Sequence, residues 1–480
     1  MVNEMSIEKI IECINSKAGK LIKASDNVWE YAETAFTEHK SMEELCALLE
    51  SEGFKVEKGI GGVETAFSGT FGSGKPVIGL LGEYDALFGL SQVAGATEKE
   101  WYKEGCPGHG CGHNLLGVGS IAAAIAVKQF LEESGQPGTV IYYGCPGEEG
   151  GSGKAFMARE GVFDVLDAAI TWHPGTTNAA ANTSSLANIQ VKFKFYGVSA
   201  HAAGDPYNGR SALDAVELLN VGVQFLREHI IPEARVHYAI TNTGGFSPNV
   251  VQPVAEVLYL CRAPKNKQAQ EIYEWVIDIA KGAALMTHTR MEYEFIKACS
   301  NVVNNVTLER DLYENLKKVP MPQYTEEELK LAEVYKSTAP AVQDLVEKNR
   351  EAGPEAIKFI KEHVGHPLND FIMPYYPSGK PMGGSTDVGD VSWVCPTAQI
   401  NTVTLAADTP GHSWQIVAQG KSSIAHKGML YAGEVMAATV IDLMTNPELL
   451  AAAKAEHAEA VGPDGYICPI PKGIKPQPIK

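Results

Sequence analysis

Three absences narrow what this chain can do. It lacks a basic surplus: 40 Lys and Arg against 58 Asp and Glu give a formal net charge of −18, whereas neutralising a phosphate backbone needs clustered positive charge. That argues against a nucleic-acid partner, and the acidity mainly promotes solubility. It lacks a continuous run of about 18 apolar residues, the length a membrane-spanning helix needs. Met1–Glu12 alternates charged and apolar residues and does not form the apolar stretch of a signal peptide. A cytoplasmic protein without membrane contact is therefore expected. It also lacks a disulfide pattern: nine cysteines, an odd number without small-domain spacing, read as mostly buried thiols.

What is present is an ordinary globular composition, 45% hydrophobic and 20% charged, without repeats or low-complexity tracts. A chain of 480 residues exceeds what one hydrophobic core supports, so two domains are expected. Ile7, Ile10, Ile11, Ile14, Ala18 and Leu21 share helical spacing, as do Met42, Leu45, Cys46 and Leu49, so two helices open the chain. After Gly53 come short apolar runs, Val77–Leu81, Thr139–Gly144, Ala168–Trp172 and later Thr402–Ala407, which read as strands. Leu115–Leu131 is apolar nearly all round and suits a helix buried against a sheet. This alternation predicts an α/β fold.

From Leu186 the texture changes. Ile189–Tyr196, Val236–Thr241, Glu256–Cys261 and Arg290–Ile296 read as strands, and Ser211–His229 and Gln268–Met286 as helices. The resulting βαββαβ order predicts a small α+β unit inserted into the larger domain. The expected division is 1–185 and 304–480 for the larger domain, with 186–303 as the insert. Glu309–Glu362, charged and helical in period, returns to the larger domain as scaffold.

Polar residues follow directly on the strand runs: Glu83 and Asp85, Glu148 and Glu149, His173, then Asp408 and His412. Ligands of open α/β sheets gather at the carboxyl ends of strands, so these positions predict one shared crevice. Cys106-Pro-Gly-His-Gly-Cys-Gly-His113, after which a helix is expected from Asn114, brings thiols and imidazoles together, the ligand types of Zn²⁺ and neighbouring ions. Alone, it could equally be a glycine-rich capping loop. Glu148-Glu149, flanked by glycines and expected in a loop with almost no side chains around it, offers one carboxylate for a metal and one for a proton. Asp85 could be a helix cap or the acid that orients a ligating histidine.

The order Gly-Glu-Tyr-Asp-Ala, His-Gly-Cys-Gly-His-Asn, Pro-Gly-Glu-Glu-Gly, Trp-His-Pro, Gly-Val-Ser-Ala-His-Ala and Gly-His-Ser-Trp resembles the peptidase M20 family, in its aminoacylase and amidohydrolase branch. The resemblance spans roughly residues 10 to 450. It implies a metallo-exopeptidase-like α/β/α catalytic domain whose insert is a lid and dimerisation domain. It further implies two divalent metal ions, Mn²⁺ or Zn²⁺, with Cys111 as bridge, His113 and His173 on one metal, Glu149 and His412 on the other, and Glu148 as general base. Most of the family has His two residues before the Asp that is Asp85 here, and Asp where Cys111 stands. Glu83 fills the first of these positions, so His113 has to supply the missing ligand.

By the same resemblance His201 would stabilise the oxyanion in a neighbouring subunit's site, and Asn249, Arg262 and Gly384 would bind the substrate. A planar guanidinium suits a free carboxylate. The implied activity is hydrolysis of N-acyl amino acids, with aminobenzoyl-glutamate or a related aromatic conjugate first. A dipeptidase and a non-catalytic partner of a sister subunit are the alternatives, and the chain is expected as a homodimer or in a heteromer with that sister.

Overall fold

The computed structural model describes residues 6–478; Met1–Met5, where the N-terminal reading begins, and the last two residues lie outside it. The first helix, α1 (Ile7–Tyr31), starts behind Ser6, whose hydroxyl accepts from the N–H of Lys9, a side-chain cap for an otherwise unpaired donor. Its apolar stripe, including Ile10, Ile14, Leu21 and Val28, is buried. Next comes α2 (His39–Ser51), burying Met42, Leu45, Cys46 and Leu49.

The larger sheet has seven strands in the order β1-β2-β4-β3-β5-β11-β6. These are β1 (Lys55–Lys58), β2 (Phe67–Ser73), β3 (Val77–Glu83), β4 (Gly138–Cys145), β5 (Ala168–Gly175), β6 (Ala179–Ala180) and β11 (Thr397–Val403). The centre β4-β3-β5-β11 is parallel, and β1, β2 and β6 pair antiparallel at the edges. Parallel strands need both faces covered. One face packs against α1, α2, α3 (His113–Ser134) and the helices Val306–Lys318 and Ser423–Thr445. The other packs against α5 (Gly153–Arg159) and Val388–Val394. The expected α/β/α layering follows.

The apolar circumference of α3 is explained by its place between the sheet and Ser423–Thr445. It is long and apolar enough to cross a membrane, but 89% of that window is buried inside the protein, which marks a core helix. Gly119 lets it approach the sheet, since a Cβ there would lie 2.6 Å from the Trp172 ring. Trp172 is fully buried and donates its indole N–H to the Leu116 carbonyl at 2.9 Å.

The smaller sheet is antiparallel, in the order β10-β7-β9-β8. Its chain order is β7 (Ala187–Tyr196), α6 (Ala212–Leu226), β8 (Arg235–Asn242), β9 (Val254–Ala263), α7 (Asn266–Thr287) and β10 (Arg290–Cys299), the expected βαββαβ. Burial alternates strictly along β9, as it must where one face packs on helices and the other does not.

Three expectations need correction. The run Thr402–Ala407 is strand only in its first two residues: β11 ends at Val403, paired with Gly175, the last residue of β5, so the ladder has no partner beyond it. Glu148 and Glu149 do not sit in an open loop but open a four-residue helical turn, α4 (Glu148–Gly151). The helix after the Cys/His segment starts at His113 itself, not at Asn114.

Candidate metal centre

The carboxyl ends of β3, β4 and β5 bring the predicted polar residues to one place. Gly112, at φ 79°, is in the left-handed region that glycine tolerates best. The tight turn it allows puts Cys111 just ahead of α3 and His113 in its first turn, facing the same side. The thiol of Cys111 lies 3.4 Å from His173 Nε2, and the ring of His173 is fixed by Nδ1, which donates to the Pro174 carbonyl at 2.7 Å. His113 gives Nδ1 to Asp85 Oδ1 at 3.0 Å, turning Nε2 inward. The other Asp85 oxygen accepts from the N–H of Glu149 at 2.8 Å. One buried carboxylate therefore aligns both a histidine ring and the α4 turn.

Glu149 Oε2 lies 3.4 Å from His412 Nε2, and its Oε1 is 3.9 Å from His113 Nε2. His412 comes in from a partly exposed loop at φ 50°, an uncommon conformation for a non-glycine residue and one that clusters at functional sites. Cys111, His113 and His173 form one group whose ligand atoms lie within 4.8 Å of one another, and Cys111, Glu149 and His412 form a second. Cys111 is common to both. Cys106 and His109, from the same sequence segment, do not join them. His109 Nε2 bonds the Val28 carbonyl at 3.0 Å, and burial pushes its pKa down to about 4.

Three charged residues that the sequence left without a role stand beside the cluster. Glu83, His113 and Glu148 make a third group of ligand atoms within 4.8 Å, with Glu83 Oε2 3.2 Å from His113 Nε2. The other Glu83 oxygen is 2.6 Å from the Nζ of Lys154, which is also 2.6 Å from Asp387 Oδ1. The side chains of Glu83, Lys154 and Asp387 are all buried.

The electrostatics follow from this crowding. Burial and the carboxylates of Glu83, Glu149 and Asp387 push the Glu148 pKa well above the ordinary range. Burial raises that of the Cys111 thiol. Burial alone would lower His113, but Cys111 and Asp85 outweigh it and hold the ring well above the usual histidine value. Against its own burial, Glu83 is kept ionised by Lys154 and His113.

His113 Nε2 and Glu149 Oε1 are buried without a hydrogen-bond partner, a costly state for polar atoms. Both point into the cluster. A thiol, three imidazoles and a carboxylate are the donors that borderline divalent ions take, so these residues fit such an ion.

The candidate substrate residues divide into two sets. A cavity of 320 Å³ is lined by Glu148, Glu149, His412, Gly384, Ser385 and Arg262, among others. Arg262 Nη1 donates to Ser385 Oγ at 3.0 Å, while its Nε is buried without a partner. His201 and Asn249 are not among the lining residues. They are exposed and adjacent, the N–H of Ala202 donating to the Asn249 carbonyl at 2.9 Å. His201 Nδ1 accepts from the N–H groups of Ala203 and Gly204, so its proton is on Nε2.

Residues 79–464 match Peptidase family M20/M25/M40. The chain belongs to this family. It is a hydrolase acting on amide bonds, as the resemblance implied. It is 50% identical over 474 residues to one of the subunits of p-aminobenzoyl-glutamate hydrolase from Escherichia coli strain K12, covering 98% of each chain. It is 30% identical over 467 residues to Xaa-Arg dipeptidase of Mus musculus, covering 94% of this chain and 92% of that one. Among solved structures, a dinuclear metal-binding M20 peptidase of Bacillus subtilis superposes with a TM-score of 0.56 at 16% identity, covering 90% of this chain and 99% of that one. At that identity the likeness is one of fold.

Proposed function

We propose that this chain is a metal-dependent amidohydrolase of N-acyl amino acids, with p-aminobenzoyl-glutamate as its leading substrate. The observation that carries this reading is the meeting of two ligand groups at Cys111 Sγ, with Glu148 beside them. Cys111 would bridge two ions, Zn²⁺ or Mn²⁺, with His113 and His173 on one and Glu149 and His412 on the other. Such ions, when bound, polarise a scissile carbonyl and acidify a water. Glu148 accepts the proton of the attacking water and passes it to the leaving amine. Asp85 holds His113 in the tautomer that leaves Nε2 free to ligate. Arg262 and the backbone at Gly384 grip the carboxylate of the amino acid. The substrate choice rests on the 50% identical E. coli relative.

In this reading residues 186–303 are a lid between the two parts of the catalytic domain, 1–185 and 304–480. His201, exposed on its own subunit with Nε2–H outward, would serve the oxyanion of a second subunit, with Asn249 next to it. That requires a homodimer through the lid. A heteromer with a sister chain is the alternative assembly, suggested by the E. coli relative, which is one subunit of its hydrolase. A dipeptidase is the second reading, favoured by the 30% identity to Xaa-Arg dipeptidase.

The purified chain, loaded with Mn²⁺ or Zn²⁺, should be offered p-aminobenzoyl-glutamate, other aromatic and aliphatic acyl-glutamates and acyl-aspartates, and dipeptides. The highest kcat/KM is expected on an aromatic acyl-glutamate. Preference for dipeptides selects the second reading. Failure on every substrate with metal bound would sink the assignment and leave a non-catalytic partner.

A further inference from the structure

Lys154 stands out among the buried groups the mechanism does not use. It opens α5 inside the apolar layer beneath the sheet, and its side chain is entirely buried. Apolar residues of similar volume would serve packing there as well or better, because burying an ammonium is expensive unless it is paired and fully hydrogen-bonded. This one is paired twice. Its Nζ lies 2.6 Å from Glu83 Oε1 and 2.6 Å from Asp387 Oδ1, and its own backbone N–H donates to Asp387 Oδ2 at 2.8 Å.

The two carboxylates lead in different directions. Glu83 ends β3, with its second oxygen 3.2 Å from His113 Nε2, at the metal centre. Asp387 follows the segment Gly383–Thr386, which begins with two glycines in open surroundings and is held where the N–H of Leu186 donates to the Gly384 carbonyl at 2.9 Å. Two residues before Asp387, Ser385 Oγ accepts from Arg262 Nη1 at 3.0 Å. Arg262 belongs to β9, in the other sheet. Ion pairs thus run from His113 through Glu83 and Lys154 to Asp387, and two residues of backbone then lead to Ser385 and its hydrogen bond with Arg262; Asp387, Ser385 and Arg262 line the same cavity as Glu148.

We propose that Glu83, Lys154 and Asp387 form an ionic strut that sets the spacing between the metal centre and the carboxylate clamp at Arg262, with Lys154 as its positioning residue. The strut selects acylamino acids with a free α-carboxylate, because only with Asp387 pinned from both the side chain and the main chain of Lys154 does the Ser385 hydroxyl aim the guanidinium. Retention of a buried ion triad for registry, not for net stability, is the best-attested use of such groups. The inference rests on reading Arg262 as the clamp.

The test compares kcat/KM for p-aminobenzoyl-glutamate with that for its α-carboxamide, and follows the ratio of the two. Asp387→Asn keeps the shape and leaves Lys154 and Glu83 as a neutral pair, and Ser385→Ala cuts only the last link. Both should lower the ratio about 10- to 100-fold, the range for losing a hydrogen bond to a charged group, while bound metal measured by mass spectrometry stays at the parent level. A merely structural role would move the melting temperature and leave the ratio alone. If Arg262→Met lowers the ratio but Asp387→Asn and Ser385→Ala do not, the strut is wrong and the clamp stands. If Arg262→Met leaves the ratio unchanged, the clamp reading fails and the strut with it. Should Asp387→Asn not fold, Lys154→Arg, which keeps the charge but not the spacing, takes its place; an unchanged ratio there refutes the strut even if Ser385→Ala lowers it.

Discussion

Asp85→Asn tests the centre most directly, because it changes no shape and removes one acceptor. The carboxylate serves two donors at once, His113 Nδ1 at 3.0 Å and the N–H of Glu149 at 2.8 Å. An amide has a single acceptor oxygen, so its NH₂ must face one of those donors. Turned toward His113, it forces the ring into the other tautomer and puts a proton on Nε2, the atom that would ligate. Turned toward Glu149, it sets donor against donor and pushes the α4 turn out of line, moving Glu148 and Glu149 together. Hydrogen bonds to charged groups are worth about 1.5–3 kcal/mol each, and losing a partner that orients a ligand weakens metal binding about 10- to 100-fold. That corresponds to roughly 1.4–2.8 kcal/mol. Competition with a chelator, followed by mass spectrometry of the dialysed protein, measures the loss, and circular dichroism checks that the variant is folded. A folded Asp85→Asn protein that holds metal as tightly as its parent refutes the argument.

Other outcomes follow from the same geometry. Glu148→Gln should lower kcat about 100- to 10,000-fold, the usual worth of a general base, with metal content kept; unchanged hydrolysis by a purified variant excludes Glu148 as the base. Cys111 and His113 both have pKa values raised in the absence of an ion and so hold protons at neutral pH. Loading Zn²⁺ should therefore release protons, and affinity should rise with pH, as calorimetry in buffers of different ionisation enthalpy would read. Glu434 is buried in the helix Ser423–Thr445, and burial raises its pKa from 4.5 to about 7. A raised carboxyl pKa stabilises the fold fully below the unfolded value and loses that contribution as pH rises through the folded one. Glu434→Gln should accordingly raise the melting temperature at pH 8 and bring little change at pH 5; an equal gain at both would contradict the assignment.

The parts of the fold that could be read in advance were those whose burial imposes a period. Alternation along β9 and the all-round apolar face of α3 are direct imprints of one covered face and of two, so the βαββαβ insert and the buried helix could be inferred from residue types. The hairpin β1–β2 could not. Lys55–Lys58 is mostly exposed and carries no alternation, because an edge strand packs little on either side. The displaced boundary of β11 has a related cause: Thr402–Ala407 is apolar because it is buried near the centre, and burial alone does not make a ladder once β5 has ended.

The candidate centre divides along the same line. Cys111, His113, Glu149, His173 and His412 were visible only together: each alone has a bland reading, but thiols, imidazoles and paired acids following several strand runs point to one crevice. Lys154 was not, since a lysine in a chain with 40 basic residues has no local mark, and its partner Asp387 lies 233 positions away. Only the folded arrangement distinguishes it from a solvated surface charge. The same limit applies to His201 and Asn249 in reverse. The resemblance sets them beside a catalytic centre, yet on this chain they are exposed and outside the cavity, so the oxyanion role proposed for His201 would have to be played in a second subunit. A residue's type can announce its chemistry, but whether that chemistry works inside its own subunit or in another is decided by distance and exposure.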